Sequence, residues 1–175
     1  MYQSSITKIK DKAFFTVAVE DLAIKLLGKI IARKMKNGEI NHFRITSTEC
    51  YGGNEDSASH AYRKKTKRNA PMFENGGVLY VFLCYGIFEL LNIVSGTNEK
   101  AEAVLITGVD DIVGPGRVSR KLEITRELNF KDLTSCEEIW LEDDGFSPKT
   151  IKRDKRVGIN YALISDQEKL WRFSI

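Results

Sequence analysis

The sequence predicts an α+β class in a single domain, and three observations predict it. Hydrophobic residues make up 42% of the 175 positions, enough for one core at a length where folding buries roughly 70% of the unfolded surface. Short β-branched or alternating runs recur along the chain, whereas helical spacing of apolar residues is confined to two places. The two kinds follow one another irregularly, without the strict alternation that builds a parallel sheet.

Met1 to Lys12 is polar and charged and is expected to be a loose arm, leaving residues 13–175 as the domain. Leu22, Ala23, Leu26 and Leu27 fall at helical spacing, so Val19 to Leu27 should be a short amphipathic helix ended by Gly28. Lys29–Met35 and Ile40–Glu49 flank Asn37-Gly38, a two-residue hairpin signal; alternation then puts Ile45, Ser47 and Glu49 on one face. Tyr51 to Asn75 is long, polar and without periodicity, as functional or disordered loops are. Val78–Tyr85 and Ile87–Val94, split by Gly86, and Ala103–Ile106 read as strands. Gly114-Pro115-Gly116 is a tight turn ahead of a helix over Val118–Leu128. Strands are expected around Ile139–Leu141, Val157–Ala162 and Trp171–Ile175.

The net charge is +3 at pH 7, too small to identify a polyanionic partner. Arg63, Lys64, Lys65, Lys67 and Arg68 are nevertheless packed into six residues. Such a run is either a solvated loop or a segment that contacts phosphates. Cys50, Cys84 and Cys136 are widely spaced, without a C-x-x-C pair, which suggests no zinc site, no disulfide framework and a reducing compartment. The N-terminal stretch lacks the apolar run of a signal peptide, and no window approaches 18 apolar residues. An intracellular protein without membrane contact is expected, in the cytoplasm or nucleoid of a bacterium or the nucleus of a eukaryote.

Few residues could carry chemistry. Only two histidines occur, and no nucleophile elbow or phosphate-binding Gly-x-x-x-x-Gly-Lys loop accompanies them. Gly114-Pro115-Gly116-Arg117 before a helix is either a plain turn or a seat for a backbone phosphate. Glu49 closes a β-rich strand just before Tyr51. In a pocket beside an aromatic ring, such a carboxyl serves as a general base; at an open strand end it does nothing. His60, the basic loop, Met72-Phe73 and the aromatic strand ending at Tyr85-Gly86 all follow. Aromatic faces stack a splayed base, cations hold its phosphates, and a carboxylate positions water at the sugar.

In these segments the chain resembles the alkyladenine, or 3-methyladenine, DNA glycosylases of mammals and many bacteria. The resemblance runs from Asp21-Leu22-Ala23 and Leu26-Leu27-Gly28 through Glu49-x-Tyr51, His60, Arg68-Asn69 and Met72-Phe73 to the Tyr80-Val-Phe82 strand. It continues through Asn92-Ile93, Gly114-Pro115-Gly116, Arg156-Val157-Gly158-Ile159 and Trp171-Arg172-Phe173. It implies a monofunctional enzyme, a monomer without metal or cofactor, acting on double-stranded DNA that contains damaged purines. It also implies a compact domain with a curved, mostly antiparallel sheet, flanking helices and a protruding hairpin that enters the minor groove. Glu49 matches the family's water-activating acid, Tyr51, His60 and Phe82 the walls of the base pocket, and Asn92 the residue that excludes guanine's 2-amino group. Tyr85 matches the side chain that fills the gap in the duplex; Lys64, Arg68 and Arg117 are candidate phosphate contacts. Two departures stand out: Phe82 replaces a frequent Tyr, and Thr107 stands where many members carry Arg. The latter leaves room for a module of the same fold that binds flipped bases without cutting them. An RNA-binding domain is a weaker reading, because it gives Glu49 no role.

Overall fold

The computed structural model describes residues 6–97 and 99–175. Strand β1 (Thr7–Lys8) leads to helix α1 (Val19–Leu26), then to β2 (Ile30–Lys34) and the long β3 (Ile40–Tyr51). After an extended loop come β4 (Leu79–Cys84), β5 (Phe88–Ser95), β6 (Glu102–Val109) and β7 (Ile112–Val113). Helix α2 (Pro115–Lys121), β8 (Ile139–Asp143), β9 (Lys152–Asp154), helix α3 (Ile164–Gln167) and β10 (Arg172–Ser174) complete the chain. One open sheet runs β1-β8-β2-β3-β6-β5-β4, with β10 on β3, β9 on β10 and β7 on β6. Every pairing between these strands is antiparallel, so the α+β reading holds.

The main core lies between the sheet and α1 and α2. Leu22 and Leu26 of α1 pack with Ile31, Ile45, Ile106 and Phe173. Two side chains of β3 bind the helix backbone directly: Thr48 Oγ1 donates to Ala23 O at 3.0 Å and Cys50 Sγ to Val19 O at 3.5 Å. Helix α2 sits close on β5, because Gly116 has no Cβ; one built there would lie 2.8 Å from the Phe88 ring. That contact gives the Gly-Pro-Gly turn a packing reason.

Several expectations change. From Thr7 the supposed loose arm is attached: β1 pairs with β8, Ile9 N donates to Leu141 O at 2.8 Å, and Lys12 forms an ion pair with Asp132. The first hairpin closes through Lys36-Asn37-Gly38, with Gly38 alone at positive φ (88°) and the Gly38 amide on Met35 O at 2.8 Å. It is a three-residue loop rather than a two-residue one. The helix after Gly114 stops at Lys121, because Glu123 takes a left-handed φ of 48°. The Ile124 amide then returns to Ser119 O at 2.9 Å, a helix stop that normally uses glycine. Val157–Ala162 is a loop: Gly158 has φ of 76° and Ala162 N closes a turn on Ile159 O at 2.9 Å.

Candidate active site

The site is built on a fault in β3. Its pairing with β6 slips between Ile45 and Ser47 and again between Ser47 and Thr48. Thr46 is left over on one strand and Thr107 on the other, so both change face at the same level. Ile45, Thr48 and Cys50 therefore turn to α1, while Glu49 and Tyr51 turn to the opposite side. The expected common face of Ile45, Ser47 and Glu49 is thus wrong: Ile45 is core, and Glu49 lines a cleft of about 660 Å³.

Glu49 is only 3% exposed. Its Oε2 accepts from the Tyr51 hydroxyl at 3.1 Å and its Oε1 from the Val157 amide at 3.2 Å. Arg172 on β10, directly paired with Glu49, places Nε 3.8 Å from Oε1. Burial pushes the Glu49 carboxyl above the ordinary glutamate range, and these donors, with Arg172 and Arg156, oppose it only in part. A carboxylate so placed is ready to take a proton. Burial, followed by the charge of Glu49, holds the Tyr51 hydroxyl well above its usual range, so it stays a donor.

A second pocket of about 60 Å³ opens off the same region, with Tyr51, Ala58, His60 and Tyr161 lining both. Tyr80, Phe82 and Asn92 belong to it. Tyr80 and Phe82, two apart on β4, stack with centroids 5.3 Å apart. The His60 ring meets Phe82 edge-on at 4.5 Å, and its Nδ1 lies 2.9 Å from the Tyr80 hydroxyl. Although one edge of His60 remains open, burial by these rings and then the charge of Arg68 pull its pKa down to about 4. The imidazole is neutral at pH 7. Asn92 is 3% exposed, and its Nδ2 donates to Tyr80 O at 3.1 Å and Leu90 O at 3.3 Å. Both amide donors are used on backbone, which leaves Oδ1 as the end available to a ligand.

A network not foreseen from the sequence fastens these walls. Arg156 and Asp56, both 0% exposed at the side chain, meet through two bonds of 2.5 and 2.9 Å. Arg156 also donates to Cys50 O at 2.9 Å and Asp166 O at 3.1 Å. Its guanidinium lies 5.1 Å from the ring centres of both Tyr51 and Trp171. Asp56 accepts in addition from the amides of Gly52 at 3.0 Å and Ala58 at 3.1 Å. The loop after Tyr51 and the loop carrying Val157 are thereby held as one piece. Gly52 is required here, because a Cβ would meet the Trp171 ring at 2.9 Å.

At the rim, Tyr85 is 86% exposed with φ of 50°, beside Gly86 at 69°. With Ile87 they form the three-residue tip between β4 and β5, where Cys84 pairs with Phe88, and Tyr85 and Gly86 both lie in the left-handed region common in tight hairpin turns. Tyrosine there stores backbone strain that Asn or Gly would not. Arg68 lies 5.3 Å from the Phe82 ring and donates to Leu83 O at 3.3 Å. Arg63, Lys64, Lys65 and Lys67 are exposed, on a loop pinned by the buried Asn69, whose Nδ2 donates to His60 O at 2.8 Å and Lys64 O at 3.0 Å. Arg117 is exposed on α2, next to the cleft-lining Gly114 and Pro115. Thr107 lines the cleft and donates to Ser47 Oγ at 2.7 Å. The structure brings Glu49, Tyr51, His60, Arg68, Tyr85 and Thr107 to one cleft and Phe82 and Asn92 to the pocket that joins it. Lys64 and Arg117 stay outside both. Among the described residues there is no cluster of three or more metal-ligating side chains.

A recessed carboxylate, an aromatic pocket and a rim that carries Arg68 thus lie together in one region of the fold. The methylpurine-DNA glycosylase family model matches residues 13–113 and 109–175. A protein of Borrelia garinii subsp. bavariensis is 36% identical over 177 residues, 94% of this chain and 95% of that one. One of Chlorobium phaeovibrioides is 36% identical, covering 93% of this chain and 90% of its own, and one of Psychrobacter cryohalolentis is 35% identical over 81% and 80%. Each carries the name "Putative 3-methyladenine DNA glycosylase". The chain belongs to the methylpurine-DNA glycosylase family, and so to the hydrolases.

Proposed function

We propose that this protein excises alkylated or deaminated purines extruded from double-stranded DNA, leaving an abasic site. The observation that carries the reading is Glu49, a recessed carboxylate beside Tyr51, which lines both the open cleft and the aromatic pocket. The base enters between Tyr51 and the wall of His60 and Phe82, and its sugar stays in the cleft. Glu49 takes a proton from water as the oxygen bonds to C1′, and the base leaves with the electron pair of the glycosidic bond. Purines alkylated at N3 or N7 carry positive charge, which aromatic faces attract and a neutral His60 does not repel. Neutral lesions such as hypoxanthine need a proton or a hydrogen bond to leave. Damaged pairs also cost less to open, by up to a few kcal/mol. Arg68, with Lys64 and Arg117, holds phosphates; no metal or cofactor is needed, the enzyme acts as a monomer, and without a lysine nucleophile it leaves the strand intact.

Release of free base from duplexes bearing 3-methyladenine, 7-methylguanine, hypoxanthine or ethenoadenine tests the reading. Abasic sites from none of the four would leave a module that binds without cutting, the alternative that Thr107 favours.

Two side chains set finer properties. Asn92→Ser should raise release of normal guanine relative to lesions, since the buried amide fills space that guanine's 2-amino group would need and such a clash costs a few kcal/mol; an unchanged ratio counts against Asn92 as the discriminator. Tyr85→Ser should slow excision most for well-paired lesions, because a ring inserted between base steps offsets part of an unstacking cost of a few kcal/mol. Its melting temperature should hold, the ring being exposed. Equal losses in paired and mispaired contexts would remove Tyr85 from the role of wedge.

A further inference from the structure

Beside Glu49, one cation has no settled partner. Arg172 lines the cleft, its side chain is 29% exposed, and its approach to Glu49 stops at 3.8 Å. Among the described residues its guanidinium makes no hydrogen bond, and Asp154, its neighbour on β9, forms no ion pair with it. The other groups around Glu49 are already engaged. Tyr51, on the same strand, donates to it. Arg156, from the loop after β9, is spent on Asp56, and Val157 gives only its amide. From β6 come Leu105 and the hydroxyl of Thr107, both uncharged. Arg172 is thus the charged group next to Glu49 that is free to change partner, with donors to spare and access to the cleft.

We propose that Arg172 is a positioning residue with two anionic partners in turn: Glu49 in the free protein and, in the complex, the phosphodiester beside the extruded nucleotide. This rests on the glycosylase reading above. A guanidinium binds phosphate through paired N–H donors, and a nucleotide whose C1′ faces Glu49 brings its flanking phosphates to the same wall. Once Arg172 turns to phosphate, its positive charge is compensated and no longer favours the ionised form of Glu49. DNA binding therefore makes Glu49 a stronger base at the moment a base is required. It also keeps a bare cation away from a sugar that gains positive charge as the purine departs. In the free protein the same arginine opposes, in part, the desolvation that favours protonation of Glu49.

The test uses Arg172→Gln and Arg172→Lys in single-turnover excision of one lesion across pH, with duplex affinity across salt and thermal unfolding as a check on folding. The acid limb of kmax/K½ reports the free protein and that of kmax the complex. In the wild type the limb for kmax should lie at higher pH than that for kmax/K½, by roughly half a pH unit or more. Arg172→Gln should move the kmax/K½ limb upward, toward the wild-type limb of kmax. It should also lower the salt slope of binding by about one contact, while Arg172→Lys keeps most of that slope. Coincident limbs in the wild type, or a salt slope unmoved by Arg172→Gln, would overturn the exchange while leaving the glycosylase reading intact. Absence of base release by the wild type at every pH would overturn both.

Discussion

Glu49→Gln should lower single-turnover excision by at least about 100-fold, the usual lower figure for loss of a general base, while leaving the protein at least as stable at neutral pH. The second half follows from burial. The carboxyl is favoured in its protonated form in the folded protein, chiefly through desolvation. A group with a raised folded pKa supports folding fully below its unfolded value and loses that support as pH climbs through the interval up to the folded value. Above that interval the wild type bears the whole cost of a recessed charge, and the amide bears none. Glutamine is the right probe because its side-chain oxygen can still accept from the Val157 amide, and the Tyr51 hydroxyl can turn to meet its NH₂. Thermal unfolding of the two proteins should agree below pH 4.5, the ordinary glutamate value, and diverge above it, with the variant higher. Duplex affinity should remain. Excision within a few-fold of wild type would dismiss Glu49 as the base. A variant that melts lower across the whole range would show the carboxylate to be structural instead. Active sites that hold charges against desolvation commonly trade stability for function in this way.

The sequence made some of this legible and hid the rest for identifiable reasons. α1 and the strands carrying Glu49, Phe82 and Asn92 were readable, because apolar periodicity over five or more residues reports which element buries a face. The side to which Glu49 points was not. Alternation from Ile45 predicts one face, and only the paired slip of β3 against β6 reverses it; a bulge adds no distinctive residue to the string. The stop after Lys121 was hidden because a glutamate, not a glycine, occupies the left-handed position at Glu123. Val157 and Ile159 imitate a strand by composition, yet the Val157 amide goes to Glu49. Arg172 could be read as part of a terminal motif, but its neighbour is set by the register of β10 on β3, a pairing across more than a hundred residues. The pairing of Arg156, itself part of a family-like segment, with Asp56 was invisible in the same sense. Nothing in either segment says that this Arg and this Asp, a hundred residues apart, will meet until the fold seals them together.

That sealed pair supports the second large effect. Arg156→Met should destabilise the protein by about 3–5 kcal/mol, the range for breaking a buried ion pair by removing one partner. For a domain of this size that is a fall in melting temperature on the order of 10 °C. The loss comes less from the attraction between the two groups than from what is left behind. Asp56 is 0% exposed at the side chain, so without the guanidinium its charge keeps only the Gly52 and Ala58 amides. Cys50 O and Asp166 O lose donors as well, and methionine, though similar in length, offers none. Pairing the change with Asp56→Asn separates the causes: if the stranded carboxylate dominates, the double variant should be clearly more stable than the two single effects added together. Excision should fall beyond what the folded fraction explains, because the guanidinium packs on the Tyr51 ring and its backbone leads straight into the Val157 amide that binds Glu49. A melting temperature within about 2 °C of wild type, equivalent to less than 1 kcal/mol, would mean that water reaches the pair and that the two loops are not held by it. Full activity per folded molecule would leave the pair a scaffold only, with Tyr51 and Glu49 placed by β3 itself.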